Sequence, residues 1–578
     1  MNKKFSSFLL ELFILLIITI PSFNILFNNQ YPSMHDDQHI TRLYLLDQGI
    51  KQGSWYPRWV SGLGFGYGYP LFNFYPPLIY YVAELFHMVG FSYIWSIKLM
   101  IISGFLLAGL SIFWLIKSLI GRLPAFIGVT VYTYFFYHAV LVYIRGALAE
   151  FFTLAILPLV FLSIYKLYKQ VNFRWSIIFG IFFALLILTH PLIAFPSLIF
   201  IGLFTLFLFL LSKNKVNFIC LFVIGLLIGL GLSSFYWLPS MVERKFTLTD
   251  EILTKELANY KDHYIYPQQL WYSPWGFGGS VKGIGDGLTF QLGKIPITLT
   301  IFSLLFAVLY FIKNKKIDQS IVYYLLSMIL LSFSLFMTTS YSSFIWDNIK
   351  YLWYLQFPWR FLTFTALFIS IVAGYGIFFL KKYINRTLII FLVVAVSVLT
   401  IIKYQQYDRP QKLLSTTDKE KTSYEEIAWR VSGTSYEFVP KGVKIKKTNL
   451  GTTTIAIDKK DLPRESYNVI FGKAEVKTIK NQFAIKEFSV NAAIPIIFRL
   501  NTYNFPGWTA YLDGKQLLIN DNNDYKLITV NIPQGSYTIN FHFKNTPVRN
   551  IADAISLITL IIIAGYFFTF ISLIQRDK

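Results

Sequence analysis

Apolar runs of about twenty residues, separated by short polar stretches, fill most of the first 400 positions. A helix needs roughly 20 apolar residues to cross a bilayer core. Twelve such runs are legible, near 8–28, 96–116, 124–143, 151–168, 175–190, 193–212, 217–238, 295–312, 320–338, 360–380, 385–403 and 550–572. A further run at 76–94 reads as a short interfacial helix or one more span. Three intervening segments exceed a turn: 29–95, 239–294 and 404–548. In the third the pattern changes from runs to alternation, as in "TTTIAID", "SYNVIFG", "IPIIFRL", "KLITVNI" and "SYTINFHF", with turn signals such as "LDGK" and "IPQGSY". Period-two alternation between turns predicts an antiparallel β-sandwich or jelly roll.

The expected fold is therefore a polytopic α-helical membrane protein of about 12 transmembrane helices, with a β-domain before the last helix. Its expected divisions are a transmembrane domain over 1–403 with large loops at 29–95 and 239–294, a β-rich domain over 404–548, and a terminal helix and tail over 549–578.

Composition agrees. Hydrophobic residues make up 55% of the chain and charged residues 14%, with a mean hydropathy of +0.52, too apolar for a soluble chain of this length. The formal net charge is +22. Basic residues collect in alternate loops, among them Lys117 and Arg122, Lys166 and Arg174, Lys313 and Lys316, and Lys381 and Arg386. By the positive-inside rule these loops and both termini are expected in the cytoplasm, which leaves the β-domain outside. Much of the charge is thus topological and faces membrane lipids, and a nucleic-acid partner is not expected. Residues 8–28 read as an uncleaved signal anchor of a plasma-membrane protein. The lone Cys220 falls within a predicted span, so no disulfide is expected.

Only six acidic residues precede position 240, and two are adjacent in "YPSMHDDQHITR". With the expected topology, Asp36, Asp37 and Glu150 all lie at the outer face. Paired carboxylates there can take a proton from a hydroxyl, or hold a divalent cation together with a ligand such as His190. Asp37, Glu150 and His190 are the candidate metal set. Arg58, Arg145 and Arg360 are basic residues on the side that positive-inside bias disfavours, and a lipid-linked phosphate would account for them. A plain Arg145–Glu150 ion pair is the simpler alternative, although five residues apart on an ideal helix the two would not face each other. Trp271, Tyr272 and Trp275 can stack on a sugar or anchor at headgroups. The glycines of "GLGFGYGYP" lack the lysine and frame of a P-loop, so no nucleotide cofactor is expected.

The order of these features resembles the GT-C superfamily of membrane glycosyltransferases: the acidic pair after the first span, then "WYPRWVSGLGFGYGYPLFNFYPPLIYY", then "RGALAE". The most similar group within it is the bacterial and archaeal membrane proteins labelled "6-pyruvoyl-tetrahydropterin synthase-related". "FYWLPSMVE" at 235–243, "LQFPWRFL" at 355–362 and "NFPGWTAYLDGKQL" at 504–517 share that likeness. The resemblance implies sugar transfer from a polyprenyl-phosphate donor to a glycan, lipid or protein acceptor at the outer face. Asp36 or Asp37 would be the base, and Glu150 would serve the metal or the donor. The chain departs from the common pattern in having Asp–Asp where Asp–Glu is frequent. Two other classes stay open: a transporter or flippase of lipid-linked saccharides, and a non-catalytic envelope assembly protein.

Overall fold

The computed structural model of the protein describes residues 3–253, 259–447 and 453–576. Among the described residues, ten helices are long and apolar enough to cross a membrane, or eleven if one bent pair counts as a span. Twelve were expected, and the difference has two sources. The run at 124–143 is two helices, Arg122–Thr133 and Phe136–Arg145, bent by 42°. Its apolar composition continues through the break, so run length alone does not reveal it. The run at 175–190 folds as Phe173–Thr189, only 17 residues long. Leu78–Met88, at 11 residues, is too short to span.

Contact clustering divides the chain into two compact units. The first comprises Met1–Asp37, Lys98–Gly231 and Ala258–Ser415. Its inner helices are Leu148–Lys169 and Leu362–Leu380, nearly all of whose residues are buried. Lys215–Leu232 and Lys294–Asn314 instead expose most of their apolar side chains, as lipid-facing helices do. Close helix approach uses small residues. A Cβ on Gly225 would stand 2.9 Å from the Ser176 carbonyl oxygen, and one on Gly229 2.9 Å from that of Gly180. The Gly225–Gly229 spacing is the small-xxx-small pattern that lets membrane helices touch backbone to backbone. Tyr31–Pro32 pairs antiparallel with Leu413–Leu414, which fixes the strand that leads into the acidic pair.

The second unit comprises Gln38–Ile97, Leu232–Leu257 and Thr416–Lys578. It contains the expected β-sandwich. Of "TTTIAID", Thr452 lies outside the described residues, and Thr453–Ile455 is a strand. Five antiparallel strands form one sheet, in the order Lys515–Leu517, Trp508–Leu512, Gly535–Phe543, Ile485–Ala492, Ala474–Asn481. Leu527–Ile532, Ile496–Tyr503 and Tyr467–Phe471 form the other. Phe488 and Phe541 of the first sheet meet Phe498 of the second at ring distances of 5.3 and 5.9 Å. The "LDGK" turn closes a two-residue hairpin with Asp513 at φ 45° and Gly514 at φ 83°, the left-handed pair that suits strand twist.

Candidate functional site

The site lies in the first unit and is built on an irregular stretch of backbone. After Phe136–Ala139, residues Val140–Arg145 form a wide π-helical turn. Gly146 then adopts φ 67°, and the next helix starts at Leu148. Glu150 sits in the first turn of that helix, where the helix dipole favours an anion. The break turns Arg145 back onto it. Arg145 Nη1 donates to Glu150 Oε2 at 2.9 Å, although ideal helical spacing excluded the pair. The geometry differs because residues 140–147 are not an α-helix.

Glu150 is fully buried and its oxygens are engaged. Tyr137 Oη donates to Oε1 at 2.5 Å, and Arg360 Nε lies 3.3 Å from Oε2. The guanidinium of Arg145 lies over the Trp359 ring at 4.5 Å, and Trp359 stacks on Phe357 at 4.6 Å. Both rings come from "LQFPWRFL". Arg360 is buried too, and among the described residues its Nε and Nη1 have no hydrogen-bond partner. Two buried guanidiniums therefore face one buried carboxylate. The surplus positive charge and the unused N–H groups suit an anion.

His190 caps the helix Pro191–Leu211. Its Nδ1 accepts from the Ile193 N–H at 3.2 Å, with Pro191 at the first helical position. Burial lowers its pKa to about 3, and the nearby Arg360 charge acts in the same direction. The ring is thus neutral at ordinary pH.

Asp36 is exposed at the edge of this group. Its N–H donates to the Arg145 carbonyl at 2.8 Å, and the His35 N–H donates to that of Ile144 at 2.9 Å. Its charge acts on both Arg145 and Arg360. His35 Nε2 meets the Phe277 carbonyl at 2.8 Å, which ties the acidic stretch to the glycine-rich loop. Trp275 packs against Tyr407 at 5.0 Å and Phe136 at 6.2 Å.

Asp36, Arg145, Glu150, His190 and Arg360 therefore come together, with Asp37 half-buried next along the chain. The other sequence candidates are placed differently. Trp271 and Tyr272 are mostly exposed, at 55% and 63%. Arg58 belongs to the second unit, where Nη2 donates to Asp553 at 2.6 Å and Nη1 to Asn73 at 3.3 Å. Its guanidinium is occupied by protein. Nor do Asp37, Glu150 and His190 make a metal set. Among the described residues no group of three or more His, Cys, Asp or Glu could hold a metal ion. Glu150 is taken up by a tyrosine and two arginines, whose charges oppose a cation. Tyr137 was not singled out in the sequence, Phe357 and Trp359 entered only as part of "LQFPWRFL", and His35 only as part of "YPSMHDDQHITR". In a chain that is 19% aromatic, Tyr137 carries no distinguishing signal.

No protein-family model matches this chain, and no curated protein does. Among solved structures, it is similar to one described as the single-particle cryo-EM structure of arabinofuranosyltransferase AftD from Mycobacteria. Identity is 10% and the TM-score 0.44, over 71% of this chain and 27% of that one. The chain thus spans about a quarter of that protein's length.

Proposed function

We propose that the protein is a GT-C-type membrane glycosyltransferase, which moves a sugar from a polyprenyl-phosphate donor to an acceptor hydroxyl at the outer membrane face. One observation carries this reading: an exposed carboxylate, Asp36, is tied by its backbone N–H to the Arg145 carbonyl, and its charge acts on buried Arg145 and Arg360, whose charges exceed that of Glu150. A polyprenyl tail stays in the lipid and keeps the donor phosphate at headgroup depth. Arg360, through Nη1, receives that phosphate. Asp36 takes the acceptor's hydroxyl proton as the oxygen attacks the anomeric carbon. The carbon–oxygen bond to phosphate breaks, and the electron pair leaves with the phosphate, where the guanidiniums stabilise it. Glu150 positions the arginines and touches neither substrate. Asp37 is the alternative base.

The test is mass spectrometry of lipid extracts from cells with and without the gene. Loss of the protein, or Asp36→Asn, is expected to leave a polyprenyl-phosphate sugar unconsumed, with protein level unchanged. Arg360→Lys is expected to slow consumption at least tenfold. A lipid profile unchanged by deletion would end this reading. Full activity of Asp36→Asn with loss in Asp37→Asn would move the base by one residue.

A further inference from the structure

The second unit holds a cleft of about 490 Å³ that the transfer reaction leaves unexplained. Lys245, Lys441, Lys526, Asn504, Asp521 and Trp508 line it. We infer that this cleft is a separate binding site for an anionic saccharide.

The floor is built from "NFPGW", the start of the motif at 504–517, and it is anchored from below. The Pro506 carbonyl accepts from Arg549 Nη2 at 3.0 Å. Arg549, itself fully buried, donates through Nε and Nη2 to Glu243 at 3.0 and 2.9 Å. Gly507 sits at φ 117°, and a Cβ there would stand 2.5 Å from the Lys544 carbonyl oxygen. No other residue fits that turn. The walls are tied as well. The Asn504 N–H donates to the Lys526 carbonyl at 2.7 Å, and the Lys441 N–H to that of Phe246 at 2.8 Å. A cleft held this way exists before a ligand arrives, so little binding energy is lost to ordering it.

The lining identifies the ligand's chemistry. Three lysines face one aspartate, so an anion is favoured. Lys526 Nζ lies 3.8 Å from Asp521, and Lys441 pairs with half-buried Glu251 at 3.3 Å. Lys245 rests 5.1 Å from the Phe246 ring centroid, its ammonium at the surface. The volume is that of a small-molecule site and far exceeds one oxyanion. Asn504, which donates to Asp521 at 3.1 Å, and Asp521 offer hydrogen bonds for hydroxyls. Phe246, 40% exposed, offers apolar surface for the C–H face of a sugar ring. Trp508 is buried, and its indole N–H meets no acceptor among the described residues. Charge, hydroxyl partners and one exposed ring face together describe a saccharide that carries carboxylate or phosphate.

The purified full chain in phosphatidylcholine nanodiscs, titrated calorimetrically with tri-galacturonate and with glucose 6-phosphate, tests this. Saturable binding is expected, at least tenfold tighter than that of maltotriose or inorganic phosphate. Lys245→Gln with Lys441→Gln, both at exposed positions, is expected to weaken it at least tenfold, and adding Lys526→Gln further. Lys515→Gln, on the sandwich hairpin, should leave it unchanged. No binding of either acidic probe by the unaltered chain would overturn the inference, as would equal affinity for inorganic phosphate or an affinity indifferent to the lysines. Lysine-dependent binding of the protein to phosphatidylglycerol vesicles, without acidic-saccharide binding, would make the cleft a lipid-headgroup site instead.

Discussion

Glu150 has three partners on two oxygens, and this determines what its removal does. Glu150→Gln leaves the guanidiniums of Arg145 and Arg360 buried beside each other with no counter-charge. Breaking a buried pair in this way costs about 3–5 kcal/mol. Tyr137→Phe removes one hydrogen bond to a carboxylate, worth about 1.5–3 kcal/mol. Urea or thermal unfolding in detergent should rank the two in that order, and equal effects would contradict the pairing. His190 supplies a pH dependence. Burial holds its folded pKa near about 3, whereas an unfolded histidine protonates near about 6.5. Between those values the unfolded chain binds a proton that the folded chain does not, so stability falls as pH is lowered through that window. His190→Asn keeps an acceptor for the Ile193 N–H and removes the titration. The unfolding temperature of this variant should fall less steeply between about pH 6.5 and 5. The members of this cluster were legible because charge is scarce in an apolar chain, so each acid or arginine stood out. Their pairing was not, because the 3.6-residue period separates Arg145 from Glu150 and only the break at 146–147 joins them.

The elements that matter most are those where a regular pattern fails. Apolar run length located most spans, since a bilayer imposes a length that composition records directly. It could not locate the bend between Arg122–Thr133 and Phe136–Arg145, where both sides are equally apolar. Gly146 marks the end of the bent pair and can be tested alone. At φ 67° a side chain costs about 1–2 kcal/mol, and a Cβ would also stand 2.7 Å from Met34 Cγ and Sδ. Gly146→Ala is therefore expected to lower stability by more than that amount. Met34→Ala in the same chain would relieve the contact and leave the dihedral cost. Because Met34 immediately precedes His35 and Asp36, Gly146→Ala should also reduce lipid-linked sugar consumption more than its stability loss explains. Equal activity in the single and double variants would show that Met34 does not govern the position of Asp36.

Segments far apart in the chain fold together in the second unit. The sandwich strands are easy to see, because each alternates with period two and the turns between them carry Asp-Gly and Pro-Gln-Gly signals. Which distant segments they fold with leaves no such trace. In the second unit, Trp59 is 2% exposed and packs edge-on against Trp508 at 5.6 Å and beside Phe543 at 5.3 Å. Asn73 Nδ2 donates to Glu243 at 2.8 Å, and Glu243 also pairs with Arg549. Residues 464–546 expressed alone would expose Trp508, Phe505 and Phe543 together, and burial of each such side chain contributes about 1.5–3 kcal/mol. That fragment is expected to aggregate or to unfold without a cooperative transition. In the full chain, Glu243→Gln should cost about 3–5 kcal/mol by leaving Arg549 buried without its counter-charge. A 464–546 fragment with dispersed amide resonances and cooperative unfolding would show the sandwich to be autonomous.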